Sequence, residues 1–200
     1  SNNSPVETKE YDVCIVGAEP AALSVLSDIQ TPYSLDTMSE GQVHRAARHL
    51  PGSNCQRSSS VLVVDPHPSW MMGWSHNFRA LDIKFLRSPA MAHPDAFDRN
   101  ALLAFADIHN RLDELTESGC GDLKSLLALG QTQVGLWKLP SLRLFEDFCD
   151  DLVQRLPHEF LGKTSVVDIQ HINPSSHGTF ARIVRVISFC ATHRYRMALA

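Results

Sequence analysis

Tyr11-Asp12-Val13-Cys14-Ile15-Val16-Gly17-Ala18-Glu19-Pro20-Ala21-Ala22-Leu23 is the stretch on which the fold of this chain turns. Tyr11 to Val16 is a short apolar run, rich in β-branched residues and closed by a glycine, and it reads as a buried strand. Ala21 to Ile29 follows as a helix, with Ala22, Leu23, Val25, Leu26 and Ile29 at helical spacing. A turn between a strand and the helix it opens is where a G-x-G-x-x-G/A element has to lie. The physics of such a turn sets three demands. Gly17 meets the first, a residue for the tight turn. The second residue must let the backbone approach a pyrophosphate at the helix N-terminus, where free N–H groups and the helix dipole favour anions. The third allows close packing of helix on strand, and Ala22 is acceptable there.

The second position holds Glu19 instead of glycine. A side chain there crowds the diphosphate. Two unit charges about 4 Å apart at an effective dielectric near 20 repel by about 4 kcal/mol, roughly three orders of magnitude in affinity. Either Glu19 swings outward, or the turn carries no nucleotide.

The second strand is expected at Val61 to Asp65, an apolar run that ends in an acid. A carboxylate there accepts hydrogen bonds from a ribose hydroxyl when it lies about 20 residues beyond the first glycine. Asp65 lies 48 residues beyond Gly17. Setting aside Thr31 to Ser60, with its Pro32, Gly41, Pro51, Gly52 and serine run, leaves 18, so residues 31–60 read as an inserted loop with a short helix at Gln42–His49. The competing reading of Asp65 is a simple strand end before Pro66. Ser1 to Glu10 reads as a flexible leader.

Further along, Pro66 to Pro94 reads as irregular. Asn100 to Glu117 and Leu142 to Leu156 carry amphipathic stripes and are expected as helices. Ser165 to Ile172 and Phe180 to Ser188 alternate and flank Asn173-Pro174-Ser175-Ser176-His177-Gly178, which predicts an antiparallel hairpin. The order β-α-β, helices, hairpin places the chain in the α/β class: a Rossmann-like βαβ unit with added helices and an antiparallel hairpin.

Composition narrows the function. Hydrophobic residues make up 44% and charged residues 20% of 200, enough for a core, and the net charge of −4 without a basic run argues against nucleic acid as a partner. The longest apolar runs are strand-sized, so no membrane span is expected. Five scattered cysteines without C-x-x-C spacing read as reduced thiols, which favours a cytoplasmic, intracellular compartment. The histidine pairs His44/His49 and His67/His76 lack carboxylate or cysteine partners at ligand spacing, so no metal site is expected. His93-Pro94-Asp95 reads as a turn, and Arg87 as either a phosphate partner or an ion pair with Asp82 or Asp95. Ser88 lacks the G-x-S-x-G turn of acyl transfer.

With Asp65 followed by Trp70, Trp74 and His76, then Leu86-Arg87-Ser88-Pro89-Ala90-Met91-Ala92-His93-Pro94-Asp95, the chain resembles the FAD/NAD(P)-binding flavoproteins related to the lysine/ornithine N-monooxygenases. The similarity runs in patches from Tyr11 to Leu156 and includes the helix entry Leu139-Pro140-Ser141-Leu142-Arg143-Leu144-Phe145-Glu146-Asp147-Phe148-Cys149. The resemblance implies FAD held by Gly17, Ala18, Glu19, Pro20, Ala21, Ala22 and Asp65, with Trp74 and His76 near the flavin. It implies NADPH as reductant and oxygenation of a nucleophilic nitrogen on a small-molecule substrate, in a site dried by apolar cover such as Trp74 and Phe85. Catalytic residues are not identified.

The chain departs from that group at Glu19, at His193, where Val186-Ile187-Ser188-Phe189-Cys190-Ala191-Thr192 leads to a position expected to be glycine, and in having no second glycine-rich turn. It therefore reads as an apparently truncated FAD/NAD(P)-binding domain over 11–200, about half the length of such an enzyme. The expected function is an FAD-dependent, NADPH-using monooxygenase-like oxidoreductase in a partial or inactive chain. The alternative is a non-catalytic binding or regulatory module that kept the fold and lost the cofactor.

Overall fold

The computed structural model describes residues 11–30, 59–117, 137–172, 181–188 and 194–199. The expected leader over 1–10, most of the expected insertion with the short helix expected at 42–49, the expected turn at 173–178 and His193 lie outside the described residues. In chain order the elements are β1 (Val13–Val16), α1 (Pro20–Gln30), β2 (Val61–Val64), α2 (Met72–Ala80), α3 (Ala101–Ile108), a 3-10 turn (Leu112–Glu114), β3 (Leu115–Thr116), β4 (Leu139–Pro140), α4 (Leu142–Arg155), β5 (Glu159–Leu161), β6 (Thr164–Ile172), β7 (Ala181–Ser188) and β8 (Arg194–Leu199). They fall into two compact units, one of residues 1–18, 29–69 and 156–200, the other of 19–28 and 70–155.

The first unit holds a parallel sheet in the order β1-β2-β5, with Val13 opposite Val61 and Leu62 opposite Glu159. Strand β2 lies between two neighbours, and all four of its residues are buried. That is why it reads as an unbroken apolar run without alternation. Tyr11, Leu62 and Val64 form a core cluster, with Cys14, Leu161 and Val166 packed on it. Strands β6, β7 and β8 make an antiparallel sheet, so the expected hairpin is present and β8 extends it.

A clasp marks where the insertion leaves and rejoins the unit. Ser60 donates its N–H and its hydroxyl to Asp12 Oδ2 at 2.8 and 2.9 Å, while the Asp12 N–H donates to the Ser60 carbonyl at 3.0 Å. Gln30, the last residue of α1, donates its amide to the Ser59 carbonyl at 2.7 Å.

The second unit contains α2, α3, α4 and the two-stranded β3-β4 pair. Helix α4 matches its sequence expectation and buries Leu142, Leu144, Phe145, Phe148, Cys149 and Leu152. Two expectations are corrected. The helix predicted over Asn100–Glu117 ends at Ile108, because Asn110 adopts a left-handed conformation (φ 54). The Arg111 N–H then bonds the Ala106 carbonyl and the Asn110 N–H the Asp107 carbonyl, a Schellman close that satisfies the last carbonyls. The apolar period runs on through Leu112 and Leu115, which hides this stop. Residues 66–94, expected to be irregular, contain α2. Asp82 (φ 50) closes it in the same way, with Ile83 N–H to Phe78 O and Asp82 N–H to Arg79 O.

His93-Pro94-Asp95 is a turn, as expected. The Asp95 carboxylate accepts the N–H groups of Phe97 and Asp98 at 2.9 and 3.0 Å. His93 packs edge-on against Phe148 at 5.2 Å, and its Nδ1 accepts the Asp95 N–H. Its Nε2 is buried without a hydrogen bond among the described residues. Burial holds this imidazole below its ordinary value of 6.5, against the smaller opposing pull of the Arg99 backbone, Asp95 and Asp98.

Gly162 sits where the segment after β2 presses on the end of β5. A Cβ there meets the His67 carbonyl at 2.9 Å and the Pro68 carbonyl at 3.0 Å, and neither backbone atom can swing away. Gly162→Ala is therefore expected to cost about 1–3 kcal/mol, read as a lowered midpoint in thermal or urea unfolding. For His93 the unfolded state binds more protons than the folded state. Its stabilising share is present above pH 6.5 and is lost as pH falls through the depressed folded value. Denaturant titrations between pH 7.5 and about pH 5 are expected to show a steeper acid-side loss in the parent than in His93→Gln.

Candidate functional site

Strand β1 ends at Val16 and α1 begins at Pro20, so the turn is Gly17-Ala18-Glu19. Gly17 has φ 105, a region that side-chain-bearing residues rarely adopt, and nothing lies within 4 Å of the position its Cβ would take. The glycine is required by conformation and leaves open space in front of the turn. Its N–H donates to the Val64 carbonyl at 2.8 Å, which carries the strand pairing one step past β1.

Asp65 stands one residue beyond β2 and is 5% exposed. Its Oδ2 accepts the Ala18 N–H at 2.8 Å, and its Oδ1 accepts the His67 N–H at 2.7 Å. The structure thus brings Gly17, Ala18 and Asp65 together within the first unit. It also gives Asp65 a task the sequence did not reveal, that of anchoring the turn amide. Each carboxylate oxygen retains a second lone pair. The bond also explains why an aspartate suits the end of β2, since both of its oxygens meet backbone amides of neighbouring turns.

Helix α1 opens with Pro20, which has no N–H to leave unsatisfied at the first helical position. The Leu23 N–H bonds the Glu19 carbonyl, while the N–H groups of Ala21 and Ala22 meet no acceptor among the described residues. No acidic residue stands in the first turn of this 11-residue helix. Its positive end is therefore uncompensated by its own side chains. The Glu19 side chain is exposed.

In the second unit, Trp74 stacks on Phe78 one helical turn ahead (centroids 4.1 Å) and tilts against Phe145 of α4 at 5.3 Å. Trp74, Phe78 and Phe145 line a cavity of about 430 Å3, together with Pro20, Phe85 and Arg87 among others. The wall between Lys84 and Ala90 hangs on residues 138–142 through three backbone bonds: Leu86 N–H to Pro140 O and Leu142 N–H to Lys84 O, which make the Phe85–Ser141 bridge, and Ala90 N–H to Lys138 O. Ser141 in turn donates its hydroxyl to Glu114, whose carboxyl the Arg111 guanidinium holds below its ordinary range. Arg111 also reaches Asp147 on α4.

The sequence-derived site residues therefore separate. Pro20 and Trp74 share the cavity, whereas His76 is exposed and lines no part of it. Of the two readings of Arg87, the ion pair with Asp82 or Asp95 is not formed among the described residues, and the exposed Arg87 lies on the cavity wall. Phe78 and Phe145 were not singled out as site residues, because only the fold brings residues 58 and more apart in sequence to one wall. Burial pushes the thiols of Cys14 and Cys149 up, which leaves both as poor nucleophiles. Among the described residues, no three His, Cys, Asp or Glu are grouped to hold a metal ion, and no helix is long and apolar enough to cross a membrane.

Asp65→Ala strands the buried Ala18 N–H and the part-buried His67 N–H. It is expected to cost on the order of 3 kcal/mol, with Asp65→Asn falling between this variant and the parent in thermal unfolding. Equal midpoints for all three proteins would contradict the anchoring role.

No family model matches the chain, and no curated protein matches it in sequence. Solved structures do match in shape. The ornithine N-hydroxylase of Kutzneria sp. 744, determined with reduced FAD, NADP+ and L-ornithine, superposes with a TM-score of 0.52 at 17% identity, over 94% of this chain and 36% of its own. The reduced form of ornithine hydroxylase from Pseudomonas aeruginosa gives 0.51 at 14% identity, over 95% and 37%. The chain spans about a third of the length of these structures. Its α/β architecture, with a parallel sheet and antiparallel additions, is a fold shared with the superposed part of these ornithine hydroxylases.

Proposed function

We propose that this chain is the FAD-binding portion of an NADPH-using, monooxygenase-like oxidoreductase acting on a small molecule. The observation that carries the reading is the Asp65 carboxylate bonded to the Ala18 N–H at a turn whose Gly17 has φ 105 and open space before it. Strand β1, the Gly17-Ala18 turn and the second-strand acid, all in the first unit, support the reading, because these are parts that a nucleotide-binding turn uses.

The residues present fit the cofactor. The free N–H groups of Ala21 and Ala22 suit an anionic group, with Glu19 the one acid beside them. Gly17 and Ala18 shape the turn, and the remaining lone pairs of Asp65 suit a ribose hydroxyl. FAD, when bound, supplies the redox chemistry that none of these side chains provides.

Glu19 is the residue that weakens the site. Because its side chain is exposed, water screens it, and the repulsion falls toward the roughly 1 kcal/mol expected for charges about 4 Å apart in high dielectric. Glu19→Gly is therefore expected to tighten FAD binding about fivefold, measured by quenching of flavin fluorescence on titration, with Asp65→Ala weakening it. A colourless protein that takes up no FAD in either the parent or the Glu19→Gly form would overturn the proposal.

A further inference from the structure

Among the described residues, the Nε2 of His93 is the one buried side-chain nitrogen or oxygen that meets no hydrogen-bond partner. The other ring nitrogen is committed, since Nδ1 accepts the Asp95 N–H at 3.2 Å. A nitrogen that accepts carries no proton, so the neutral ring bears its hydrogen on Nε2. The turn around this ring is built from short local bonds. The Asp95 carboxylate accepts the Phe97 and Asp98 N–H groups, and the Asp98 carboxylate accepts the Asn100 N–H. The Asp98 carbonyl accepts the Ala101 N–H, so the turn runs directly into α3. One amide of the turn points elsewhere: the Ala96 N–H donates to Ser27 Oγ on α1 at 3.2 Å. Ser27 is fully buried, and residues 19–28 of α1 share the second unit with this turn.

We propose that His93 is a proton-operated latch between the 93–98 turn and α1: the neutral ring holds the turn on Ser27, and the protonated ring releases it. Protonation places a second hydrogen on Nδ1, facing the Asp95 N–H, so an acceptor becomes a donor and the bond is lost. It also puts a cation against the Phe148 ring, with an Nε2–H that has no acceptor in hydrogen-bonding geometry. Both effects drive the ring from its seat. Asp95 is displaced with it, and its carboxylate is what orders the Phe97 and Asp98 amides. Ala96 stands between these positions, so its bond to Ser27 goes with them. The charged groups acting on the ring are Asp95 and Asp98, both within the turn, and they favour the protonated form, as does the Arg99 backbone. The contact from α4 is the uncharged Phe148. Burial outweighs these pulls and holds the imidazole below 6.5, so the latch is closed at neutral pH and opens on the acid side. Ala21 and Ala22 open the same helix, so any bearing on anion affinity rests on the proposed function; the latch itself does not.

Residue-resolved amide hydrogen exchange on the full chain without ligand, corrected for the intrinsic effect of pH, tests the latch. An open turn that takes the proton at the ordinary value of 6.5 gains population about thirtyfold between about pH 7.5 and about pH 5. The Asp95 and Ala96 amides of the parent are expected to lose protection by up to that factor, and Val25 to Asp28 of α1 to lose protection over the same range. Leu152, buried on α4, serves as the reference for global unfolding and is expected to hold. His93→Asn keeps an acceptor near the place of Nδ1 and does not titrate, so its Asp95 and Ala96 amides are expected to show no pH response. Ser27→Ala is expected to keep the response at Asp95 and abolish it at Val25 to Asp28. Should His93→Asn not fold, the parent and Ser27→Ala carry the test between them. The proposal is overturned if the Asp95 and Ala96 amides of the parent do not respond to pH, or if His93→Asn responds as the parent does. It is equally overturned if Leu152 loses protection in step with Ala96, or if Val25 to Asp28 respond alike in the parent and in Ser27→Ala.

Discussion

A single buried carboxylate holds the candidate nucleotide turn in place. Asp65 closes the end of β2 and, through its two oxygens, fixes the amides of Ala18 and His67. The turn it grips contains a glycine at φ 105, a conformation that contributes strain to any other residue. Strand pairing alone brings Gly17 only as far as the Val64 carbonyl. The carboxylate extends that order one residue further, to the point where the chain commits to helix. A charge-assisted bond at a buried position resists thermal disorder better than the neutral bonds around it. The backbone beyond β2 is likewise fixed, because the Asp65 carbonyl accepts the Thr164 N–H and the His67 carbonyl accepts the Lys163 N–H.

The second unit is organised differently. Helices α2 and α3 end on residues other than glycine in left-handed conformations, Asp82 and Asn110, and side-chain interactions hold their neighbours. Arg111 forks between Glu114 and Asp147, and Arg79 spans both oxygens of Glu146. These ion pairs are partly or largely exposed and contribute modestly to stability. Their consequence is positional: they set where α4 stands against the 84–90 segment, and so shape the aromatic wall.

The strand-turn-helix junction was legible because its signals are local and agree: a β-branched run, a glycine and a helical period within 13 residues. Asp65 was legible by its place after an unbroken apolar strand. Helix α2 was not, since Gly73, Ser75, His76 and Asn77 are weak helix formers and what holds the helix is the Trp74–Phe78 stack and the distant Glu146. Strand β5 has three residues and no alternation, so its pairing with β2 could not be read from its own sequence. The cavity was invisible for the same reason. Its walls are drawn from Pro20, from residues 74–92 and from Phe145, and only tertiary structure assembles them.

The clasp formed by Gln30, Ser59, Ser60 and Asp12 has an evolutionary corollary. Both exits of the 28 residues between 31 and 58 are fastened to the first unit by bonds that do not involve the excursion itself. The entropy of joining two fastened ends rises only with the logarithm of the intervening length, about 0.6 kcal/mol per doubling. Fastened ends of this kind let a lineage change the length of chain between the two posts at little cost to the sheet below.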